Sequence, residues 1–236
     1  MKNDGIVFVD ADDTLWENFR WFQDVLDEFA QIMAAQGVAA EVATATLHAV
    51  EDRNIPILGY GAAPFLRSVV ETFHLLAPLA IHAERNEIAH FAKRAEATIR
   101  SHPIELLPGV REALPVLAAR TRVVVLTKGE PEEQTGKVDR SGLRPWLHAV
   151  RVLREKDVAA YEATAREFDV DPGRCWMVGN SPSSDVNPAL AAGFRAVHVP
   201  HPAPWHRDVG PVDPRAIVVR TFADVPAVVL DGRLRP

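Results

Sequence analysis

The chain has 236 residues, of which 47% are hydrophobic and 25% charged, as is typical of a globular protein that can bury a core. The formal net charge of −6 argues against a nucleic-acid-binding surface, and the single cysteine excludes an internal disulfide. No apolar run is long enough to span a membrane, and no signal peptide is recognisable. We therefore expect a cytoplasmic protein that has neither a nucleic-acid nor a membrane partner.

The first predicted element is a strand at Ile6–Val9, whose apolar and mostly β-branched residues are typical of a central strand buried on both faces. Three carboxylates follow it within four residues: Asp10, Asp12 and Asp13. Because like charges repel, this cluster favours a site where a cation or a reacting group compensates for them. Asp10 and Asp12 lie two residues apart, so in an extended chain they point the same way. The alternative is a solvated acidic turn, although a turn needs only one aspartate.

The next stretch, from about residue 17 to residue 102, has a helical period and no strand signals. Its first helix carries apolar residues at helical spacing, namely Phe19, Phe22, Val25, Leu26 and Phe29. Further helices are predicted over residues 39–53, 64–76 and 83–100. A loop around Tyr60, which lies between two glycines, separates the second helix from the third.

From residue 108 onward, helices and strands alternate. Strands are predicted over residues 122–126, 149–153, 175–178, 196–199 and 216–219, and helices over residues 108–119, 130–141, 158–168 and 184–192. This alternation predicts an α/β fold with a parallel sheet covered on both faces. We therefore expect a Rossmann-like core formed by residues 1–16 and 105–236, with an all-helical domain inserted over residues 17–104.

Polar side chains follow several of these strands where each strand ends. They are Asp10, Asp12, Thr127, Lys128, Lys156 and Asp185. Because the carboxyl ends of parallel strands meet at one edge of a sheet, these side chains are predicted to share one site. Hard oxygen ligands without a Cys/His cluster indicate Mg²⁺ rather than zinc.

Each of these positions has a structural alternative. Thr127 could end its strand with a local hydrogen bond, Lys156 could be exposed in a charged run, and Asp185 could cap a helix. The histidines near His201 are separated by prolines, which favours surface or packing roles over metal binding. The joint pattern favours a site, because each alternative would have to hold separately.

Taken in order, these segments resemble the haloacid dehalogenase superfamily of hydrolases. Its first motif, an apolar strand followed by Asp-x-Asp-x-Thr, is matched by Asp10, Asp12 and Thr14. Its second motif, an apolar strand that ends in Thr or Ser, is matched by Thr127. The helical segment after the first motif looks like the helical cap that is common in this superfamily.

The third and fourth motifs of the superfamily are matched less strictly. The third is a lysine at or before a helix start, best matched by Lys156, with Lys128 and Lys137 as weaker candidates. The fourth is a strand followed by Gly-Asp and then a second Asp. Here it reads Gly-Asn at Asn180, with Asp185 further on, so its first acid is an amide.

The resemblance also implies which branch of the superfamily fits. Dehalogenases there lack the second Asp of the first motif, whereas phosphatases and phosphotransferases have it, as a general acid and then a general base. A halide leaves unaided, whereas an alkoxide leaving group benefits from a general acid. Asp12 therefore favours a phosphatase.

The implied enzyme is a Mg²⁺-dependent phosphatase acting on a small phosphorylated metabolite. Asp10 would attack phosphorus and form an aspartyl-phosphate, and Asp12 would act as acid and then as base. Thr127 and the amide of Lys128 would hold phosphate oxygens. Lys156 would neutralise charge on the nucleophile and the phosphate.

The same resemblance implies a metal site and a substrate pocket. Asp185, the Asp10 carboxylate and the Asp12 carbonyl would hold Mg²⁺, with Asn180 as a neutral oxygen ligand. The residues predicted to face the substrate are Trp16, Glu17, Arg20 and Tyr60, although Tyr60 could instead pack inside the cap.

Other functions stay open at this point. A phosphomutase or a dehalogenase could use the same scaffold, and a non-catalytic binding protein could have kept the fold. Only Asn180 supports the interpretation as a non-catalytic binding protein. The sequence does not indicate an oligomeric state.

Overall fold

A computed structural model describes residues 5–231 of the chain. The protein divides into two compact units, with boundaries after Phe19 and after Pro103. We call the unit that contains both ends of the chain the core unit, and Arg20–Pro103 the helical unit. The sequence predicts these boundaries after residues 16 and 104. The outermost parts of the predicted core, residues 1–4 and 232–236, lie outside the described residues.

The core unit is built around a six-stranded sheet with the order β3-β2-β1-β4-β5-β6 in residues 5–231. Its strands are β1 Ile6–Val9, β2 Arg122–Lys128, β3 Ala149–Leu153, β4 Trp176–Gly179, β5 Arg195–His198 and β6 Ile217–Val218. Every neighbouring pair is parallel. The predicted α/β fold with a parallel sheet is therefore confirmed.

The described part of the chain contains nine α-helices. They are α1 Phe19–Ala35, α2 Ala40–Leu58, α3 Ala62–Leu76, α4 His82–Ser101, α5 Val110–Ala118, α6 Pro131–Ser141, α7 Val158–Glu167, α8 Asn187–Ala191 and α9 Val225–Asp231. The last of these was not predicted, because its short run of valines after a proline has no full helical period. None of these helices is long and apolar enough to cross a membrane.

The central strand β1 explains why the sheet is buried on both faces. Val7 and Val9 belong to one hydrophobic cluster, which also contains Leu114 of α5. Ile6 and Phe8, which alternate with them, belong to a second cluster. All four β1 side chains are buried, so the strand has an unbroken apolar sequence instead of alternating polar and apolar residues.

The helical unit has its own buried core, and in it α3 packs against both α2 and α4. The sequence predicts that α2 ends at residue 53, but the helix runs on through Pro56 to Leu58. Proline lacks the N–H that would donate within this turn, and the helix continues past it for only two residues. The helix ends at Gly59, whose φ of 81° is a backbone conformation that favours glycine.

Candidate active site

The predicted site lies at the carboxyl edge of the sheet, beside the point where the strand order reverses. From β1 the chain builds β2 and β3 on one side, and then β4, β5 and β6 on the other. In open α/β sheets this switch point between two neighbouring strands is where ligands bind. Asp10 follows β1 and Asn180 follows β4, so the first and fourth motifs flank it.

Three buried charged side chains meet at this point, and we call Asp10, Lys156 and Asp185 the Asp10 cluster. The ammonium of Lys156 donates to Asp10 Oδ1, and it donates to Asp185 Oδ1 at 2.7 Å. All three side chains are at least nine-tenths buried. Of the three predicted lysine candidates, Lys156 is therefore the one that contacts the first aspartate.

The charges of the Asp10 cluster do not balance, because two carboxylates share one ammonium. Burial raises the pKa of Asp10 to about 7, and Asp185 adds to this, while Lys156 opposes it. Burial lowers the pKa of Lys156, but the two carboxylates outweigh burial and raise that pKa well above its ordinary value. Lys156 is therefore a permanent cation, and one negative charge of the cluster remains to be compensated.

Within the Asp10 cluster, the position of Asp185 is fixed by its surroundings. It lies in a π-helical turn over Pro182–Val186, where the sequence predicts a regular helix, and such turns recur at functional sites. The backbone N–H of Ser181 donates to Asp185 Oδ2 at 3.0 Å. A Cβ on Gly179 would lie 2.2 Å from the same oxygen, so only glycine permits this approach. Tyr161, which the sequence does not single out, donates its hydroxyl to Ser184 O at 2.9 Å and supports the turn.

Thr14 joins the first motif to the fourth. Its fully buried hydroxyl lies 3.2 Å from Asp10 Oδ2 and 3.1 Å from Asn180 Oδ1, and it can donate to one of them at a time. The backbone N–H of Asn180 donates back to Thr14 Oγ1 at 3.1 Å. The amide oxygen of Asn180 thus lies on the same side of the site as the second oxygen of Asp10.

These residues fit a hard divalent cation. Asp10, Asp185 and Asn180 each present a side-chain oxygen atom, the ligand type that Mg²⁺ prefers, and the Asp10 cluster carries the uncompensated negative charge that a cation would neutralise.

A second group with metal-ligand spacing was missed by the sequence reasoning. Within residues 5–231, Asp13, Glu17 and His201 bring one potential ligand atom each within 4.8 Å of one another. His201 Nε2 lies 3.3 Å from Glu17 Oε2, so this histidine is not a simple packing residue. Asp13 Oδ1 also accepts hydrogen bonds from the N–H groups of Asn18 and Phe19 and thereby caps the start of α1. No local signal links Glu17 to a histidine so far along the chain.

The second aspartate of the first motif lies in a different environment, and we call Asp12, Trp16, Gln134 and Lys137 the Asp12 cluster. Trp16 Nε1 donates to Asp12 Oδ1 at 2.8 Å, and Gln134 Nε2 donates to Asp12 Oδ2 at 2.9 Å. The ammonium of Lys137 lies 3.0 Å from both carboxylate oxygens. Burial raises the pKa of Asp12, but Lys137 and these hydrogen bonds outweigh burial, so the pKa is lowered overall.

Helix α6 places two members of this cluster on one face. Pro131 at its first position and Glu132 in its first turn favour the start of a helix, and Gly142 ends it with a φ of 72°. Gln134 and Lys137 are three residues apart, so they lie on the same side of α6. Lys137, a weaker candidate for the third-motif lysine, therefore contacts Asp12 and not Asp10.

The residues predicted to hold phosphate lie at the end of β2. Thr127 is buried, and its hydroxyl donates to Lys128 O at 3.3 Å. The side chain of Lys128 donates to Glu155 Oε1 at 3.2 Å and to Ser184 Oγ at 2.8 Å. Asp208, which the sequence does not single out, accepts a hydrogen bond from Ser181, and burial raises its pKa.

The four predicted substrate residues lie in different surroundings. Trp16 is fully buried in the core unit, where it donates to Asp12, and Glu17 contacts His201. Arg20 and Tyr60 belong to the helical unit: Arg20 stacks over Trp21, and Tyr60 is half-buried between α2 and α3. A substrate contact of these four residues stays a prediction.

Comparison with known proteins gives a consistent picture. A family model described as a haloacid dehalogenase-like hydrolase matches residues 5–193. A haloacid dehalogenase-like family hydrolase from Xanthomonas campestris is 32% identical with a TM-score of 0.82, and the match covers 96% of this chain and 91% of that one. Curated proteins gave no match.

Two more distant structures share the fold. A 2-haloacid dehalogenase from Pseudomonas syringae is 21% identical with a TM-score of 0.63, over 97% of this chain and 99% of that one. A protein from Haemophilus somnus described as a predicted phosphoglycolate phosphatase is 16% identical with a TM-score of 0.62, over 97% and 99%. Because these two structures are described with different activities on one fold, the reaction has to be argued from the site.

Proposed function

Because the chain belongs to the haloacid dehalogenase-like hydrolase family, as its motifs predicted, we propose that it is a Mg²⁺-dependent phosphatase. It would hydrolyse a small phosphorylated metabolite through an aspartyl-phosphate on Asp10. The observation that carries this proposal is Asp12, a second carboxylate held in place two residues after the nucleophile. Displacement of a halide has no use for such a group, whereas loss of an alkoxide does.

The nucleophile is the oxygen of Asp10 that faces away from Lys156. Lys156 binds Oδ1, so Oδ2, next to the Thr14 hydroxyl, is the oxygen that attacks phosphorus. The bond from phosphorus to the leaving oxygen breaks as the bond from Asp10 to phosphorus forms. Lys156 opposes the rise in the pKa of Asp10 and therefore favours the ionised, nucleophilic carboxylate.

Asp12 supplies the proton chemistry of both steps. A bound phosphate dianion near Asp12 opposes the charge of Lys137 and favours the protonated acid, which donates to the leaving oxygen. The carboxylate left behind then takes a proton from the water that attacks the aspartyl-phosphate. That water supplies the new oxygen of inorganic phosphate, and Asp10 is regenerated.

The remaining polar groups hold the phosphate and its charge. Thr127 and the backbone N–H of Lys128 would donate to phosphate oxygens at the end of β2. Asp10, the backbone carbonyl of Asp12, Asp185 and Asn180 would hold Mg²⁺, which when bound offsets the negative charge of the phosphate. Catalysis of this kind depends on positioning and on compensation of charge.

The experiment measures phosphate release from an aryl phosphate and from a panel of phosphorylated metabolites, with and without Mg²⁺. Release that requires Mg²⁺ and disappears in Asp10→Asn supports the proposal. Halide release from 2-haloacids, with no phosphate released from any ester, would contradict it and favour a dehalogenase. Transfer of phosphate between positions of one substrate, with none released to water, would indicate a phosphomutase.

A further inference from the structure

We infer that Lys137, assisted by Gln134, is a positioning residue that fixes the carboxylate of Asp12 for hydrolysis of the phosphorylated enzyme. This inference rests on the proposed function, since it assigns Asp12 its role as the base. Lys137 itself would not touch the substrate. It would act only through the orientation of Asp12.

The first support is the number of donors that converge on one carboxylate. Trp16 binds one oxygen of Asp12, Gln134 binds the other, and Lys137 bridges both. The donors come from two separate segments, the loop after β1 and helix α6. Rotation of the carboxylate would break contacts to at least two of them, so its orientation is fixed.

The second support is the contrast in exposure between the two partners. The Lys137 side chain is 1% exposed, whereas that of Asp12 is 22% exposed. Trp16, Gln134 and Lys137 contact both oxygens of Asp12, yet the Asp12 side chain keeps this exposed fraction. A water molecule or a leaving oxygen can therefore approach Asp12 but not the buried ammonium of Lys137.

The third support is that the ammonium of Lys137 makes further contacts in the same region. Its ammonium also donates to Asn18 Oδ1 at 2.8 Å and lies 3.5 Å from Glu133 Oε1. Lys137 thus makes hydrogen bonds to Asp12 and Asn18 and a longer ion-pair contact to Glu133. A buried ammonium with these contacts has little freedom to move, unlike a flexible surface lysine.

The fourth support is the way the backbone accommodates Gln134. A Cβ on Gly129 would lie 2.9 Å from Gln134 Nε2, and Gly129 has a φ of 134°. This φ favours glycine, and a side chain here would displace the amide of Gln134. Among the described residues, the buried Gln134 Oε1 has no hydrogen-bond partner. The hydrogen bond from Gln134 Nε2 to Asp12 therefore sets the orientation of this amide. Gly129 directly follows Lys128, so the predicted phosphate-binding amide and the support of Asp12 belong to one short segment.

The test uses rapid-mixing kinetics with an aryl phosphate. The burst of aryl alcohol reports formation of the aspartyl-phosphate, and the steady state reports its hydrolysis. We expect Lys137→Met to slow hydrolysis of the phosphoenzyme by about tenfold to a hundredfold, because small misplacements of a catalytic group have effects of this size. The KM and the burst rate should change much less, and Lys137→Arg should restore part of the loss.

A matched control and a double mutant separate positioning from a general effect on folding. Arg140→Met removes an exposed cation from the same helix and should leave both phases unchanged. In the Asp12→Asn background, Lys137→Met should cause no further loss, because it acts through Asp12. This double variant removes the buried charge pair together, so it leaves no unpaired ammonium to destabilise the fold. Gln134→Leu, which changes no charge, should slow the same phase.

The outcomes distinguish this inference from the proposed function. If the natural enzyme releases no phosphate from any ester, the proposed function fails. If it does, and Lys137→Met lowers the burst and the hydrolysis equally or leaves both unchanged in a folded protein, the positioning role fails. An additive loss in the double mutant would also contradict it.

Discussion

The Asp10 cluster and the Asp12 cluster each pair a buried lysine with an aspartate. The two aspartates are only two residues apart in the chain. In the Asp10 cluster one ammonium serves two carboxylates, and the pKa of Asp10 is raised to about 7. In the Asp12 cluster an ammonium and two neutral donors hold the carboxylate of Asp12, whose pKa is lowered, and the same ammonium also lies 3.5 Å from Glu133 Oε1.

The role of each aspartate is set by the charges and hydrogen-bond donors around it, and not by the residue type. In the Asp10 cluster negative charge exceeds positive charge, so the cluster suits a site that gains a cation and an electrophile. In the Asp12 cluster both carboxylate oxygens already accept hydrogen bonds from the protein, so this carboxylate is held in place without a ligand. Two neighbouring carboxylates with oppositely shifted pKa values are typical of sites that divide the chemistry between them.

The largest effect is expected from removal of the nucleophile. Asp10→Asn should lower turnover by at least about 10⁴-fold, because an amide is a poor nucleophile and no covalent intermediate can form. Steady-state phosphate release checks this. Circular dichroism should show an unchanged fold, and substantial residual activity would remove Asp10 as the nucleophile.

A smaller but still large effect is expected in the other cluster. Asp12→Asn should lower kcat by about 10²–10³-fold with little change in KM, because general acid–base catalysis contributes an effect of this size. The loss should be greater for an alkyl phosphate than for an aryl phosphate, whose leaving group needs less protonation. An equal loss for both leaving groups would argue against Asp12 as the acid.

The two clusters should also differ in the pH dependence of metal binding. Protons compete with Mg²⁺ for Asp10 below its pKa of about 7. The dissociation constant for Mg²⁺ should therefore rise by about tenfold for each unit of pH below about 7. Isothermal titration calorimetry on either side of neutrality measures this. Asp12→Asn should keep the dependence, and a constant affinity across this range would show that Asp10 does not bind the metal.

The smallest effect is on stability, and its sign should differ between the clusters. Asp10 binds more protons in the folded state than its ordinary pKa of 3.8 allows, so stability falls as pH rises from about 4 to about 7. The lowered pKa of Asp12 acts oppositely: its contribution is present above its ordinary pKa and is lost as pH falls.

Melting temperatures above neutral pH in the absence of Mg²⁺ test these signs. Asp10→Asn leaves Lys156 paired with Asp185 and should raise Tm by about 2–4 °C, which corresponds to roughly 1 kcal/mol in a protein of this size. Asp12→Asn leaves Lys137 without its closest carboxylate and should lower Tm by a similar amount. Shifts of Tm with the same sign in both variants would contradict the opposite effects of the two aspartates on stability.

The Asp10 cluster could be predicted from the sequence because the fold rules determine it. An unbroken apolar strand predicts a central position, and parallel strands share one carboxyl edge, so Asp10 and Asp185 were expected to converge. Lys156 joins them because it lies in the short segment between the end of β3 and Asp157, the N-cap of α7. The predicted family and sheet were confirmed for the same reason: they depend on ordered motifs and on the alternation of helices and strands.

The Asp12 cluster and the histidine contact could not be predicted in the same way. Lys137 lies within a helix, and only the packing of α6 decides which carboxylate it meets. Glu17 and His201 are far apart in the chain, and neither has a local pattern that names the other. The end of α2 could not be predicted either. Packing within the helical unit, and not the local sequence, decides whether the helix continues through Pro56.

The most direct test of the account is mass spectrometry of the acid-quenched enzyme during turnover of an aryl phosphate. The Asp12→Asn variant is the enzyme of choice, because loss of the base should make the covalent intermediate accumulate. The account predicts one phosphoryl group on the peptide that contains Asp10, and none in Asp10→Asn. Phosphate release by the natural enzyme with no phosphorylated Asp10 in either form, or with the phosphoryl group on another residue, would contradict it.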